Sequence, residues 1–500
     1  MPAYKWIVFS NTTIGSLMAS IDSSIVLISL PTILRTLPGT GPDEALWIVM
    51  SYMLVSSTFV LNFGRLGDMF GRVRMYNLGF AIFTIGSFLC SLSQTGLELV
   101  IFRILQALGS SFLWANSGAL LTDAFPINER GKTLGINQVT MVSGSVAGLV
   151  LGGVLTATLG WRSIFWVNVP IGIFATIWAY TRLKELGDIS KNQKLDIWGN
   201  ITFVGSLTLM LLGVTLGALE SWSELHYSMI GVGFVLMVCF VIVETKTPEP
   251  MFDLSLFKIH VFTGGNVAGL LSGLARGAFT FMMSFYLQGV LGDNALTAGI
   301  LLVPMSIAAA IIGPLSGILS DKHGSFYFAA SGLGTCTIAF LIMRQMPAQI
   351  SYDVLLVPLI LMGTAWGLFG SPIRSETLSA VPAERRGVGS AITVTLMNVG
   401  FLVSLAISVV VISSTVPHSL VLGVFGGGSI TSSPGGGPAI TDISDFMNGL
   451  HGVYTLSAAL CCIAILPLAL GFRGVKSREE RAHMEMSSSE SSIVQPGPEV

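Results

Sequence analysis

The sequence predicts an all-α integral membrane protein with fourteen transmembrane helices, arranged as two six-helix bundles with a two-helix insert. Three observations carry this expectation. First, charged residues are 10% of the 500 residues, hydrophobic residues are 52%, and mean hydropathy is +0.76, whereas an average soluble domain is about 25% charged. Second, the apolar residues fall into fourteen runs, each near the ~20 residues that cross a bilayer. Third, two polar turns recur at nearly one offset, as in a duplicated chain. A soluble globule is excluded. The formal charge of -2, from 25 Lys and Arg against 27 Asp and Glu, leaves no basic field for nucleic acid.

The first run, 6–30, holds Asp22 and is longer than the h-region of a cleavable signal, so it reads as a membrane helix. Runs 45–63 and 75–94 flank the polar turn around Asp68, and run 98–122 carries Arg103 near its start. Run 133–157 contains Gly144, Gly148, Gly152 and Gly153; run 162–181 follows Gly160-Trp161-Arg162. Runs 197–219 and 226–244 form the insert. Run 260–290 contains Arg276, and runs 297–319 and 325–345 flank a second polar turn around Asp321. Runs 354–379, 388–415 and 448–472 complete the second bundle. The expected organisation is 1–188 as the first bundle, 189–257 as a linker with the insert, 258–473 as the second bundle and 474–500 as a disordered cytoplasmic tail. The Gly, Ser and Pro run from Val424 to Ile440 reads as a flexible connection. All five cysteines lie inside apolar runs, which argues for free thiols rather than a disulfide framework.

With the N-terminus in the cytoplasm, 20 of the 25 Lys and Arg fall on cytoplasmic segments, Arg35, Arg162 and Arg344 fall outside, and Arg103 and Arg276 lie in the membrane. That asymmetry places both termini inside. Gly64, Asp68 and Gly71 recur as Gly317, Asp321 and Gly324, 253 residues later, and Pro126, Glu129, Arg130 and Gly131 recur as Pro382, Glu384, Arg385, Arg386 and Gly387. An even number of helices separates the copies, so the repeat is parallel, about an axis along the membrane normal.

On these residues the chain resembles the major facilitator superfamily and, within it, the fourteen-helix drug:proton antiporter family. The stretch from Gly64 to Arg74 matches the superfamily's loop signature between its second and third helices almost throughout. Asp22 to Pro31 resembles the first-helix pattern of the fourteen-helix exporters, with Leu27 where Asn is usual, and Gly160 to Phe165 with Asn168, Pro170 and Gly172 is similar to the start of their sixth helix. Arg103 and Gln106 fit the fourth-helix pattern, with Ala107 in place of Gly; the glycines of the fifth helix fit the antiporter motif, with Leu149 in place of Pro. The resemblance implies alternating access, and a loop (Gly64, Asp68, Gly71, Arg72, Arg74) that ties cytoplasmic helix ends together in the outward-facing state.

The residues themselves suggest roles. An ionised group in hydrocarbon is expensive, so such residues mark a pathway or a relay. Asp22 lies nine residues before Pro31, and Arg103 about five residues into the fourth helix from the same side. At 1.5 Å per residue the two depths agree, and they can pair, as a proton or substrate site or as a static tie. Arg103, Gln106, Ser110, Trp114 and Ser117 share one face of the fourth helix. Such a stripe makes either a cavity wall or a set of interhelical hydrogen bonds. In the ninth helix Asn266, Arg276 and Thr280 share a face, and Arg276 reads either as a site for an anionic group or as a side chain facing water. Arg130, Glu129 and Asp321 are candidate members of the cytoplasmic gate. Gly144, Gly148, Gly152 and Gly153 allow close helix approach.

No P-loop, no His and Cys cluster of metal-ligand spacing and no nucleophile with its base is visible. The reading is therefore not an enzyme, with no cofactor and no metal, and with a proton gradient as its energy source. The favoured function is export of small amphipathic or hydrophobic compounds, of multidrug type, in exchange for protons across the plasma membrane. The alternatives are a symporter or uniporter for a small, possibly anionic, metabolite, and a non-transporting membrane sensor. The partners implied are a small-molecule substrate, protons and the lipid bilayer; the sequence carries no signature of a particular oligomer.

Overall fold

A computed structural model describes residues 2–186, 195–220, 222–248, 250–382, 385–416 and 440–472. The Gly, Ser and Pro connection up to residue 439, the tail 474–500 and Glu384 lie outside the described residues. Among the described residues the regular structure is helical. The first helices are α1 (Pro2–Thr36), α2 (Pro42–Phe70), α3 (Arg72–Leu92), α4 (Gly96–Ala124), α5 (Ile127–Leu159) and α6 (Ser163–Arg182), the last interrupted at Val167. Then come α7 (Ile197–Glu220) and α8 (Glu224–Lys246). The remainder are α9 (His260–Val290), α10 (Ala295–Ser320, helical on to His323), α11 (Ser325–Met343), α12 (Tyr352–Ser379), α13 (Arg386–Ser413) and α14 (Ile440–Gly471).

Twelve of these helices are long and apolar enough to cross a membrane, and α2, bent by 48° between residues 60 and 62, makes a thirteenth if its two arms form one crossing. About twelve or thirteen of the fourteen expected crossings are thus present as long apolar helices. The difference lies in α5. Its first half carries Asn128, Glu129, Arg130, Lys132, Asn137 and Gln138, so its apolar stretch, Ser143–Leu159, is shorter than those of the other helices.

Local chemistry sets the helix ends. Pro42 opens α2, with the Glu44 carboxylate accepting from Gly41 N at 2.7 Å. Thr95 accepts from Glu98 N at 3.2 Å to cap α4, and Asn294 accepts from Thr297 N at 2.8 Å to cap α10. Gly71 (φ 105°) and Gly324 (φ 91°) turn the chain from α2 into α3 and from α10 into α11 in a conformation that side chains resist.

Helices α1 to α6 pack on one another, chiefly as α3 on α4, α1 on α5 and α2 on α4; α9 to α14 do the same, with α12 against α10 and α11, and α9 against α13 and α14. The α7–α8 pair lies against α2 and α13. Two features join the two groups at the end bearing the α1–α2, α5–α6 and α9–α10 turns. Gly153 and Gly299 let α5 and α10 touch: a Cβ on Gly153 would lie 2.6 Å from Ala295 O, and one on Gly299 would lie 2.6 Å from Leu149 O. From α9, Gln288 Nε2 donates to Ile28 O at 2.9 Å and Ser284 Oγ donates to Leu27 O at 3.1 Å.

The Ser284 bond has a specific cause. Pro31 has no N–H, so the Leu27 carbonyl four residues earlier loses its helical donor. Ser284 supplies one, and α1 continues past the expected boundary at residue 30 to Thr36. Each such bond is worth about 0.5–1.5 kcal/mol net. Removing both in Ser284→Ala/Gln288→Ala is expected to raise the population open at this end by about tenfold. The measurement is the labelling rate of Leu149→Cys by an impermeant maleimide, in a background without the native cysteines. An unchanged rate would show that these bonds do not hold this end closed.

Candidate functional site

Asp22 and Arg103 meet in the interior of the first helical group. Arg103 Nη1 lies 2.6 Å from Asp22 Oδ2, with side-chain exposures of 2% and 0%. Gln106 Nε2 donates to Asp22 Oδ1 at 2.8 Å and to Ser87 Oγ at 2.7 Å, while its Oε1 accepts from Arg103 Nη1 at 2.6 Å. Asn168 Nδ2 donates to the same Asp22 Oδ1 at 3.0 Å. Arg103 Nε donates to Ile48 O at 3.3 Å, and its guanidinium lies 4.0 Å from the Tyr52 ring centroid. Helices α1, α2, α3, α4 and α6 each contribute a group. The sequence placed Asp22, Arg103 and Gln106 together; Asn168, Ser87 and Tyr52 were missed as partners.

Glycines make this convergence possible. A Cβ on Gly86 would lie 2.7 Å from Gln106 Cα, so α3 approaches close enough for the Ser87 bond. On α5, a Cβ on Gly144 would lie 3.0 Å from Ser20 Cβ, one on Gly148 would lie 2.7 Å from Ile21 O, and one on Gly152 would lie 2.9 Å from Ile25 O. The glycine stripe is thus the bed on which the Asp22 segment of α1 lies. Withdrawing two charges from water costs several kcal/mol per ion, offset only when both are fully hydrogen-bonded. Neutralising Asp22 leaves Arg103 buried without its counter-charge, so a proton on this carboxylate is coupled to the packing of five helices.

Ser110 and Ser117 of the α4 stripe meet hydroxyls of neighbouring helices. Ser110 Oγ lies 3.0 Å from Ser56 Oγ, and Ser117 Oγ lies 3.5 Å from Ser16 Oγ; Trp114 is half-buried. In α9, Asn266 is buried and donates to its own helix at Phe262 O (2.8 Å), and Thr280 is buried. Arg276 is partly buried, donates to Ser272 O at 3.2 Å, and sits 5.5 Å from the ring centroids of both Trp366 and Phe369. Among the described residues it has no carboxylate partner, so the second group does not repeat the Asp22–Arg103 pair.

The turn around Gly71 is an ionic knot. Arg72 Nε donates to Asp68 Oδ1 at 2.8 Å, and Arg72 Nη1 reaches both oxygens of Asp123 at 2.7 Å. Glu185, beyond α6, accepts from the backbone N–H groups of Arg72 (2.9 Å) and Val73 (3.0 Å) at the start of α3, where a negative charge is favoured. A Cβ on Gly67 would strike the Asn116 amide, and Gly64 faces Ala115 at 4.0 Å, so both glycines bring α2 onto α4. The knot binds the ends of α2, α3, α4 and α6 within one group. Glu129, expected beside Asp68, instead pairs with Lys5 at 2.5 Å, because α5 starts next to α1. Arg74 is exposed; the side chains of Arg130 and Asp321 lie outside the described residues. In the second copy, Ser325 and Glu376 stand 253 residues after Arg72 and Asp123, and Ser325 Oγ donates to Glu376 Oε2 at 3.1 Å.

An all-helical membrane fold with apolar crossings around a buried charge network defines a multi-pass membrane transport protein. The chain belongs to the Major Facilitator Superfamily, whose pattern matches residues 12–405. It is a secondary transporter of that superfamily, acting on small molecules; its family and fold are those of transporters rather than enzymes. It is similar to the riboflavin transporter RibZ of Clostridioides difficile (strain 630), 35% identical over 79% of this chain and 86% of that one. It is also similar to the multidrug resistance protein Stp of Mycobacterium tuberculosis (strain CDC 1551 / Oshkosh), 30% identical over 79% of this chain and 74% of that one. A solved bacterial homolog of the human lysosomal transporter Spinster, inward-facing and unoccupied, shares the fold with a TM-score of 0.67 and 16% identity, covering 94% of this chain and 97% of that one.

Proposed function

We propose that this transporter exports small amphipathic or hydrophobic compounds in exchange for protons, by alternating access across the plasma membrane. The observation that carries the reading is the buried Asp22–Arg103 pair, a titratable group whose charge is tied to five helices. Multidrug resistance proteins among the relatives support the substrate class. In this reading both termini are cytoplasmic, α5 completes fourteen crossings, and residues 1–188 and 258–473 rock about the insert at 189–257. The end joined by Ser284, Gln288 and Gly153 is then the outer one.

The test is ethidium accumulation in cells producing the protein, with and without an uncoupler. Accumulation lowered only while the gradient stands supports proton-driven export; accumulation unchanged by the protein removes the multidrug reading. A second reading, symport or uniport of a small anionic metabolite, is favoured by Arg276, which among the described residues has no carboxylate partner and lies beside two aromatic rings, and by the riboflavin transporter among the relatives. Flux running with protons rather than against them separates the two.

A further inference from the structure

The α7–α8 pair carries two buried carboxyls where the chain leaves it for the second helical group. Asp196 immediately precedes α7 and Glu244 lies in the last turn of α8; they are 4% and 3% exposed. Asp196 Oδ1 accepts from Gly199 N at 2.8 Å, and its Oδ2 accepts from Met251 N at 3.3 Å. Glu244 Oε2 accepts from Phe252 N at 3.0 Å. The two acids thus hold successive N–H groups of the linker. On the linker's other side, Arg65 Nη2 of α2 donates to Pro250 O at 2.6 Å and Asn62 Nδ2 approaches Met251 Sδ at 3.2 Å.

One acceptor in this clasp has no donor: Glu244 Oε1, although buried, is unpartnered. It faces the other acid. A Cβ on Gly199 would lie 2.5 Å from Asp196 Oδ2 and 2.8 Å from Glu244 Oε1, so the two oxygens share the small space that this glycine leaves open. Arg65 is the charged group near Glu244 from α2; behind the linker, Arg385 is engaged with Asp253 and Ser255. Two ionised carboxylates repel at this range, and an orphaned buried acceptor is costly. One proton between Glu244 Oε1 and Asp196 removes both penalties.

We propose that Asp196 and Glu244 form a proton-binding site on the insert that fastens linker residues 250–252 to it. The site is separate from the Asp22 network and does not depend on the direction or substrate of transport. With the proton in place, both acids keep their grip on Met251 and Phe252. Without it, mutual repulsion turns one carboxylate out of the clasp and frees the linker leading into α9.

The experiment uses the full-length protein in lipid bilayers, with two readouts on wild type, Glu244→Gln and Asp196→Asn. Infrared spectroscopy is expected to show a protonated-carboxyl C=O band in the wild type that disappears as the pH is raised and is missing from both variants. Hydrogen exchange of the segment containing Met251 and Phe252, corrected for intrinsic rate, is expected to lose about tenfold in protection over the same pH rise in the wild type, the size of one lost hydrogen bond. Protection should persist in Glu244→Gln, whose amide still accepts from Phe252 and can donate to Asp196. Absence of a band that depends on Glu244 and Asp196 overturns the site, and equal pH dependence of protection in wild type and Glu244→Gln overturns its control of the linker.

Discussion

Asp22→Asn is expected to abolish gradient-driven transport while leaving folded protein in the membrane. The substitution preserves shape, and an Asn oxygen can still accept from Gln106 Nε2 and Asn168 Nδ2, which reach Asp22 Oδ1 at 2.8 and 3.0 Å. What it removes is the ability to bind and release a proton opposite Arg103. Loss of the charged partner is expected to lower stability by about 3 kcal/mol, the low end for breaking one side of a buried ion pair, because the Asn oxygen still accepts its two hydrogen bonds. The network's remaining bonds, Gln106 to Ser87, Arg103 to Gln106 Oε1 and Arg103 to Ile48 O, do not involve Asp22. The measurements are uncoupler-sensitive flux in proteoliposomes and the elution profile of the purified variant. Wild-type flux from Asp22→Asn would remove this carboxylate from the coupling mechanism.

Arg103→Met should do more damage to folding than to any single transport step. It leaves the Asp22 carboxylate, 0% exposed, with two neutral donors and no cation. Breaking one side of a buried ion pair costs about 3–5 kcal/mol, largely because the surviving charge stays buried. The expected results are a low yield of monodisperse protein and a lowered melting temperature. Asp22→Asn in the Arg103→Met background should recover much of the loss, because it removes the stranded charge. A double variant less stable than Arg103→Met alone would show that the cost comes from lost packing of the Arg103 side chain on Tyr52, 4.0 Å away, and not from electrostatics.

The parts of this site legible in the sequence were those that break a pattern. Two charges inside apolar runs at equal depth announced their own pairing, and Gln106 followed from its place one turn after Arg103. Asn168 and Ser87 were harder, because a lone amide or hydroxyl in a membrane helix fits many structures, and only the approach of α6 to α1 and of α3 to α4 selects one. The gate shows the same limit. Asp68, Gly71 and Arg72 were readable from their spacing, but the identity of their partners depends on which helix ends lie side by side. Asp123 and Glu185 take that place, and Glu129 goes to Lys5. A signal did exist: the 253-residue offset carries Asp123 onto Glu376, an acid on an acid, as it carries Asp68 onto Asp321. The run at 133–157 was legible, but not its beginning: the helix starts at Ile127, through polar residues that a hydropathy reading treats as loop.

Among the described contacts, the two copies of the turn differ in their chemistry. In the first, Asp68, Arg72 and Asp123 form ion pairs with side chains 33%, 26% and 20% exposed, within reach of dissolved ions. In the second, the corresponding contact is a hydroxyl donating to Glu376 from Ser325, both buried. Mobile ions screen exposed charges over about 8 Å at physiological ionic strength and leave a buried hydroxyl bond almost untouched. Rising salt therefore slackens the Asp68–Arg72–Asp123 contact more than the Ser325–Glu376 one, so two related contacts of a duplicated chain answer differently to the solution around them.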